Sequence, residues 1–498
     1  MCGIYFSLFY DSELEKENWK CIQHRGPDNS NSILYQKHFF GFHRLALQDI
    51  SEKGNQPFFF STIILICNGE IYNYKELKIK YQIETKSNSD CEIILHLYKK
   101  IGIEETIKQL SGYFAFILYD IEKDLYYCGR DPFGVRSLYY GKKKINQEYI
   151  FCSEIKGLYH SCLPESIKIF PSGHYFNGKE LISYYQFPSL FFDKKTEIEL
   201  FSNLYNKLYN AVKKRLGMER EFGVLLSGGL DSSLIASLVS KIRGEPIRTF
   251  SIGLKDSPDL YYARKVAEFI GSEHTEVEIT EKEMLESIEK VIYQIETYDI
   301  TTIRASIPMY LLSEYISKNT NIKVIFSGEG SDEVSGGYLY FHKSPSEKEF
   351  HMECCRLVKD LYYFDCLRSD KTTSGNGLEV RCPFLDKEFI EYYLSIPIHY
   401  RRPVEGKIEK WLLRTICSDK DLLPSEILWR KKEAFSDGVS NEKKSWYKII
   451  QEYIGQKSEK EYYKEIFLKY FKGCETVLPY YWMPKWVDGV TDPSARCL

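Results

Sequence analysis

The 498-residue sequence has no long run of one charge sign: 67 lysines and arginines stand against 70 aspartates and glutamates, for a net charge of −3. Such a balance offers no extended field to a nucleic acid or an anionic membrane surface, so neither partner is expected. No apolar stretch reaches the roughly 20 residues that span a bilayer. The N-terminus lacks a basic region followed by a sustained apolar core, so no secretory signal is expected. The terminal Ala-Arg-Cys-Leu has its cysteine next to last, the wrong place for prenylation. The 14 cysteines are scattered from Cys2 to Cys497 without one C-x-x-C pair. That excludes a disulfide-stapled small domain and the common zinc frameworks, and points to reduced thiols in a cytoplasmic protein. The histidines show no metal-ligand spacing. What is present is length enough for two or more domains, each with its own core.

The most informative stretch is Phe222-Gly-Val-Leu-Leu-Ser-Gly-Gly-Leu-Asp-Ser-Ser233. Phe222 to Leu226 reads as a short buried strand, and Ser232 to Ile242 carries apolar residues at helical spacing. A strand, a glycine turn and a helix N-terminus make an anion site, because backbone N–H groups and the helix dipole both face the ligand. Gly228 and Gly229 allow the backbone an approach to phosphate oxygens that a Cβ would block. Asp231 adds a carboxylate suited to Mg²⁺. No Gly-Lys-Ser/Thr follows, so the loop is not a Walker A motif. A second strand, Lys323 to Phe326, runs into Ser327-Gly-Glu-Gly-Ser-Asp-Glu333, and two such loops could face one triphosphate. Between them lie another strand, Ile247 to Leu254, and a helix through Tyr261 to Ile270. This alternation predicts a doubly wound α/β domain with its nucleotide at the strand ends.

The first half reads differently. Many short apolar strands and two helical stretches predict a sheet-rich sandwich. Ser89-Asp90-Cys91-Glu92-Ile93-Ile94 is read as the start of a helix with an acidic first turn. Met1-Cys2-Gly3-Ile4 is chemically suggestive: removing Met1 would leave a thiol and a free α-amine on one residue. That amine titrates at roughly pH 8 and can act as the base for its own nucleophile. A segment without clear period between Tyr185 and Phe201 marks the boundary, giving expected domains of 1–190 and 191–498. Residues 197–216 then read as a helix leading into the Ser227 loop.

His24-Arg-Gly-Pro-Asp28, His43-Arg-Leu-Ala46, Cys67-Asn-Gly-Glu-Ile-Tyr-Asn73 and Gly129-Arg-Asp-Pro-Phe-Gly134, together with Cys2, resemble the class II glutamine amidotransferase domain. The Ser227 loop resembles the pyrophosphate loop of ATP pyrophosphatases. With Glu296-Thr-Tyr-Asp-Ile-Thr-Thr-Ile-Arg-Ala-Ser306, Leu378-Glu-Val-Arg-Cys-Pro-Phe-Leu-Asp386, Trp429-Arg-Lys-Lys-Glu-Ala-Phe-Ser-Asp-Gly438 and the tail Tyr481-Trp-Met-Pro-Lys-Trp486, nearly the full chain is similar to glutamine-dependent asparagine synthetases. The resemblance implies an α+β sandwich of the Ntn type followed by an α/β doubly wound ATP-pyrophosphatase domain.

By the same resemblance, Cys2 attacks the side-chain amide of glutamine, and Asn68 with the N–H of Gly69 holds the oxyanion. Arg44 takes the α-carboxylate of glutamine in a two-point grip. Glu70 and Asp90 hold its amino group, and Leu45, Ala46, Leu47 and Gln48 complete the glutamine site. A surface pair of Arg44 with Asp90 is the plain alternative. Leu225, Ile252 and Gly328 are expected at adenine and ribose. Ser227, Gly228, Gly229, Asp231, Ser232 and Ser327 are expected around the phosphates, with Asp231 and Asp332 on Mg²⁺. Glu329 is a proton acceptor for incoming ammonia or an orienter, and Lys432 balances phosphate charge. Thr301, Thr302 and Arg304 are weaker candidates, and Arg381 with Asp386 could equally be a structural pair. The implied reaction makes asparagine, AMP, pyrophosphate and glutamate from aspartate, ATP and glutamine through a β-aspartyl-AMP, with Mg²⁺ as cofactor. It also implies an internal passage for ammonia, and a homodimer is a candidate assembly.

Overall fold

The computed structural model describes residues 1–10, 13–187, 196–404, 406–440, 444–487 and 489. The expected boundary between 190 and 191 lies outside these residues. Among them, the first half contains two six-stranded antiparallel sheets. One runs in the order Lys168–Ile169, Tyr139–Lys142, Tyr149–Cys152, Gly3–Ser7, His38–Arg44, Asn29–Tyr35. The other runs Leu181–Ser183, His174–Phe176, Leu125–Arg130, Gly112–Asp120, Ile63–Ile71, Phe58–Phe60.

Strand periodicity explains why the two sheets stack. Ile4 and Phe6 on one strand, Phe40 and Phe42 on the next, and Ile64, Ile66, Ala115 and Ile117 on the other sheet form one dry cluster. Their alternate neighbours point the opposite way, as the pleat requires. Tyr5 and Phe39 therefore leave the sandwich and join a core with Ile288, Val291 and Ile292 of the second half. The outer face of the other sheet is covered by the helix Ile93–Gln109. That helix begins at Ile93, so Asp90 and Glu92 stand in the turn before it and there is no acidic first turn. The reason is local: Glu92 folds back to accept the N–H groups of Lys86 and Ser87, at 2.8 Å each.

The second half is built on five parallel strands in the order Glu273–Ile279, Arg248–Leu254, Phe222–Leu225, Val324–Phe326, Glu379–Arg381. Phe222–Leu225 is first in sequence and central in space. The chain builds outward from it on one side, then crosses to the other with Val324–Phe326. The sheet therefore has its topological switch between these two strands, where a crevice opens beyond their carboxyl ends. Both Ser-Gly loops leave from that point. No described helix is long and apolar enough to cross a membrane.

Candidate functional site

At the switch point the strand Phe222–Leu225 turns into the helix Leu230–Arg243 through a loop capped by Gly229. Gly228 sits at φ +70°, and a Cβ there would strike Tyr262. Only glycine fits that combination of backbone and neighbour. The Ser227 N–H donates to Ser232 Oγ at 3.1 Å, closing the loop on itself. A Cβ on Gly328 would lie 2.8 Å from the nitrogen of Ser232, so the second loop abuts the first along backbone.

The carboxylates of the two loops converge on one cation. Lys410 Nζ pairs with Asp231, and it lies 2.7 Å from Asp332 Oδ1. Lys432 Nζ reaches Asp332 Oδ2 at 2.5 Å, and Ser331 Oγ donates to Asp231 Oδ1 at 2.8 Å. Burial disfavours the charge on Asp332, but Lys410 and Lys432 outweigh it and hold the carboxyl well below its usual range. Two carboxylates already sharing a cation form an oxygen donor set suited to Mg²⁺, which takes one or two carboxylates and fills its shell with phosphate oxygens and water.

A cavity of about 250 Å³ opens over these loops. Leu225, Ser227, Gly229, Asp231, Ser232, Ile252, Ser327, Gly328, Glu329, Asp332 and Lys432 line it, as do Thr301 and Arg304. Gly228 does not line it and faces Tyr262 and Ala263 instead. Thr302 instead gives its N–H and hydroxyl to Asp299 Oδ2, at 2.9 and 2.8 Å, capping the helix Ile300–Asn319. Arg304 is held by the buried Glu459, with Nε 3.0 Å from Oε1. Glu329 is salt-bridged to Arg368 Nη2 at 2.6 Å, and the same nitrogen meets Asp365 at 2.5 Å. Burial pushes the Glu329 carboxyl up to about 7 despite the guanidinium.

The second site surrounds Cys2. Its backbone N–H donates to Asn68 Oδ1 at 3.0 Å, and its thiol lies 3.8 Å from the Leu45 carbonyl. With Oδ1 so engaged, the amide nitrogen of Asn68 is turned the other way, and among the described residues it has no partner although buried. Gly69, beside it, has the Tyr113 carbonyl where a Cβ would stand. With Met1 in place the Cys2 nitrogen is a peptide N–H. The Met1 side chain is 1% exposed, wedged between the two halves, and its ammonium donates to the Leu378 carbonyl at 3.1 Å. Burial pushes that ammonium down to about 5 and the Cys2 thiol up to about 11.

Arg44 is not paired with Asp90. Its guanidinium donates to the Ser51 carbonyl at 2.7 Å, to Asn55 Oδ1 at 2.8 Å and to the carbonyls of Gln48 and Asp49. Leu45, Ala46 and Leu47 are buried beneath it, with the Ala46 N–H on Asp28 Oδ2 at 2.8 Å. Gln48, Glu70 and Asp90 line a second cleft of about 560 Å³, to which the second half contributes Lys207, Lys213, Lys214 and Arg381 together with Asp386 and Glu388. Burial raises the Asp90 carboxyl to about 6.

Arg381 and Asp386 do not pair with each other. Arg381 holds Glu70 and Glu379, both at 3.0 Å, while Asp386 takes Arg215 at 2.9 Å and Lys214 at 2.6 Å. Arg381 closes a strand and takes its partners there and in the sandwich, whereas Asp386 caps the helix Lys387–Ser395, and both line the cleft beside Glu70. Lys410, Arg368 and Asp365 carry no sequence signal as site residues. Lys410 sits at φ +60°, just before the helix Trp411–Asp419, a backbone state that a lysine side chain does not advertise.

Residues 1–208 match the family model described as a glutamine amidotransferase domain, and residues 203–351 and 342–487 match that described as asparagine synthase. The chain is 45% identical to the asparagine synthetase (glutamine-hydrolyzing) of Rattus norvegicus, covering 100% of this chain and 98% of the relative. The proteins of that description from Gallus gallus and Homo sapiens match equally, at 45% identity with 100% and 98% covered.

Proposed function

The chain belongs to the family of glutamine-hydrolysing asparagine synthetases, and from that premise we propose how its two sites divide the reaction. It is an enzyme that makes asparagine with ATP and with nitrogen drawn from glutamine. We assign glutamine hydrolysis to residues 1–190 and the synthetase reaction to 191–498.

At the first site the Cys2 thiolate attacks the amide carbon of glutamine. The unpartnered Nδ2 of Asn68 and the Gly69 N–H receive the oxyanion, ammonia leaves, and water cleaves the thioester to glutamate. Arg44 faces the α-carboxylate, and Glu70 and Asp90 the amino group. For Arg44 this requires exchanging loop carbonyls for a carboxylate, a stronger acceptor. Met1 must be removed first, since the peptide N–H now at Cys2 cannot take the thiol proton.

At the second site an aspartate carboxylate oxygen attacks the α-phosphorus of ATP, and pyrophosphate leaves. The cavity wall at Leu225 and Ile252 suits adenine, and the N–H groups from Ser227 to Ser232 suit the phosphates. Mg²⁺ held by Asp231 and Asp332 would supply charge neutralisation on the departing pyrophosphate. Lys432, and Lys410 released from the carboxylates, add positive charge beside the same oxygens. Ammonia then attacks the acyl carbon, AMP departs with the bonding pair, and Glu329 accepts the surplus proton. Ammonium is not a nucleophile, so ammonia passing inside the protein from Cys2 to Glu329 stays reactive. A cytoplasmic setting suits the 13 described cysteines, which are all free thiols.

The observation that carries this reading is the meeting of two Ser-Gly loops at the switch point with both carboxylates on one cation. The test is formation of asparagine, AMP and pyrophosphate from aspartate, ATP and Mg²⁺, with glutamine or ammonia, by the wild type and Cys2→Ala. The variant should lose the glutamine-driven reaction and keep the ammonia-driven one. Release of ADP in place of AMP would refute the adenylate.

A further inference from the structure

The tail segment 478–486 has neither helix nor strand, yet it is fastened at several points around the synthetase cavity. Tyr480 OH donates to Asp360 Oδ2 at 2.5 Å and accepts from Arg356 Nη1 at 2.7 Å. The Tyr481 ring meets that of Tyr298 edge-on at 5.6 Å, and Trp486 packs on Tyr340 and Phe341 at 5.9 and 6.0 Å. Between these anchors the Trp482 N–H donates to Asp299 Oδ1 at 2.8 Å. The other oxygen of Asp299 caps the helix that delivers Thr301 and Arg304, so one carboxylate sets both the helix start and the position of Trp482. The indole lies 5.3 Å from the Tyr338 ring and lines the cavity.

That is the side of the cavity where Tyr338 OH meets Glu333 and Asp365, and where Asp365 shares Arg368 with Glu329. Thr301, Arg304, Asp365 and Arg368 on this wall could each hold a water molecule. Trp482 is a large flat apolar surface among them. An acyl-adenylate is cleaved by water as well as by ammonia, and the two nucleophiles are nearly alike in size and hydrogen bonding. A pocket cannot separate them by shape, so the yield of amide depends on excluding water until ammonia arrives.

We propose that Trp482, held by the strap 478–486, is a wall of the pocket for the activated aspartate and keeps water from its acyl carbon. This rests on the adenylate reading above. The suppressed reaction is hydrolysis: the water oxygen bonds to the acyl carbon, the bond from that carbon to the phosphate oxygen breaks, and AMP leaves with the electron pair. Aspartate is regenerated and two protons pass to solvent.

The test is the ratio of pyrophosphate released to asparagine formed in the full-length protein with aspartate, ATP, Mg²⁺ and ammonia. The wild type should give near-equal amounts. Trp482→Ala should raise the ratio roughly tenfold, the scale of one apolar group lost from a pocket, with Trp482→Phe restoring most of the coupling. Tyr480→Phe, which frees one strap anchor, should raise it less. A Trp482→Ala protein in which pyrophosphate and asparagine fall together at a constant ratio would overturn the proposal in favour of a structural role. If Trp482→Ala does not fold, indole fluorescence of the wild type and Trp482→Phe decides. The change on adding aspartate with a non-hydrolysable ATP analogue should be smaller in Trp482→Phe by the share that Trp482 contributes among the six tryptophans, and an undiminished change there would overturn the proposal. A wild type that releases no AMP would instead sink the adenylate reading itself.

Discussion

Asn68 and Glu329 show how a single residue takes its role from where its atoms are tied. The carbonyl of Asn68 is bound to the Cys2 nitrogen, and its amide nitrogen is left buried without a partner among the described residues, free for the oxyanion role proposed above. Asn68→Ala should lower glutamine-driven asparagine formation by about a hundredfold or more, the usual effect of deleting one oxyanion donor. Ammonia-driven synthesis, which bypasses Cys2, should be unchanged, so steady-state rates with the two nitrogen sources separate the effects. Glu329 supplies a pH dependence. Its carboxyl is raised to about 7 by burial, so below that pH it is protonated and cannot accept a proton from ammonia. With free ammonia held constant, the ammonia-driven rate should rise through about pH 7 and then level off. Glu329→Gln should leave a low, flat profile over the same range, and a sloping one would assign the titration to another group.

At the scale of elements, the helix Asp365–Ser374 is the one whose pattern misleads. Its sequence, Asp-Cys-Leu-Arg-Ser-Asp-Lys-Thr-Thr-Ser, has the composition of a solvated helix, yet Cys366 through Ser374 are buried. It runs along the seam between the halves and spends its polar groups on partners from both. Arg368 meets Glu329 at the synthetase cavity, Asp370 meets Arg25 at 2.9 Å, and Arg25 Nε donates to the Cys2 carbonyl at 3.0 Å. Lys371 pairs with Glu296, which also accepts the N–H groups of Ile155 and Lys156 at 2.8 Å each. Removing one partner from such a buried pair costs about 3–5 kcal/mol, because the other charge stays buried. Lys371→Met should therefore lower the midpoint of thermal unfolding by several degrees, and an unchanged midpoint would mean that Lys156 alone satisfies Glu296.

For the whole molecule, the cores do not respect the division into two halves. Met1, Leu45, Leu47, Tyr113 and Phe133 belong to one apolar cluster with Val224, Leu226 and Phe326. Tyr5, Phe39 and Tyr139 belong to another with Phe250 and Ile288. Expressed alone, residues 1–187 would expose both faces. The fragment should bind an apolar dye and aggregate at concentrations where the full chain stays monodisperse by light scattering. A soluble, dye-silent fragment would show that the sandwich is self-sufficient. The ion pairs from Arg25, Lys156 and Arg381 cross the same seam, so packing and charge both bind the halves.

Local chemistry was legible before folding was considered. The strand, glycine turn and helix at Ser227 rest on backbone conformation and a hydrogen bond within a few residues, which a short stretch specifies by itself, whereas Asn68 takes its partner from Cys2. Resemblance then pointed to the reaction, and to Cys2 as the nucleophile proposed for it. What only the tertiary structure decided are pairings and burial between segments far apart in the chain. Lys410 joins Asp231 to Asp332, Arg381 holds Glu70 in place of Asp386, a polar helix lies in the interior, and Trp482 is set into the synthetase wall by Asp299. Each depends on which surfaces pack together, and a charged or aromatic side chain reads the same in sequence whether it ends at a seam, in a cavity or in water.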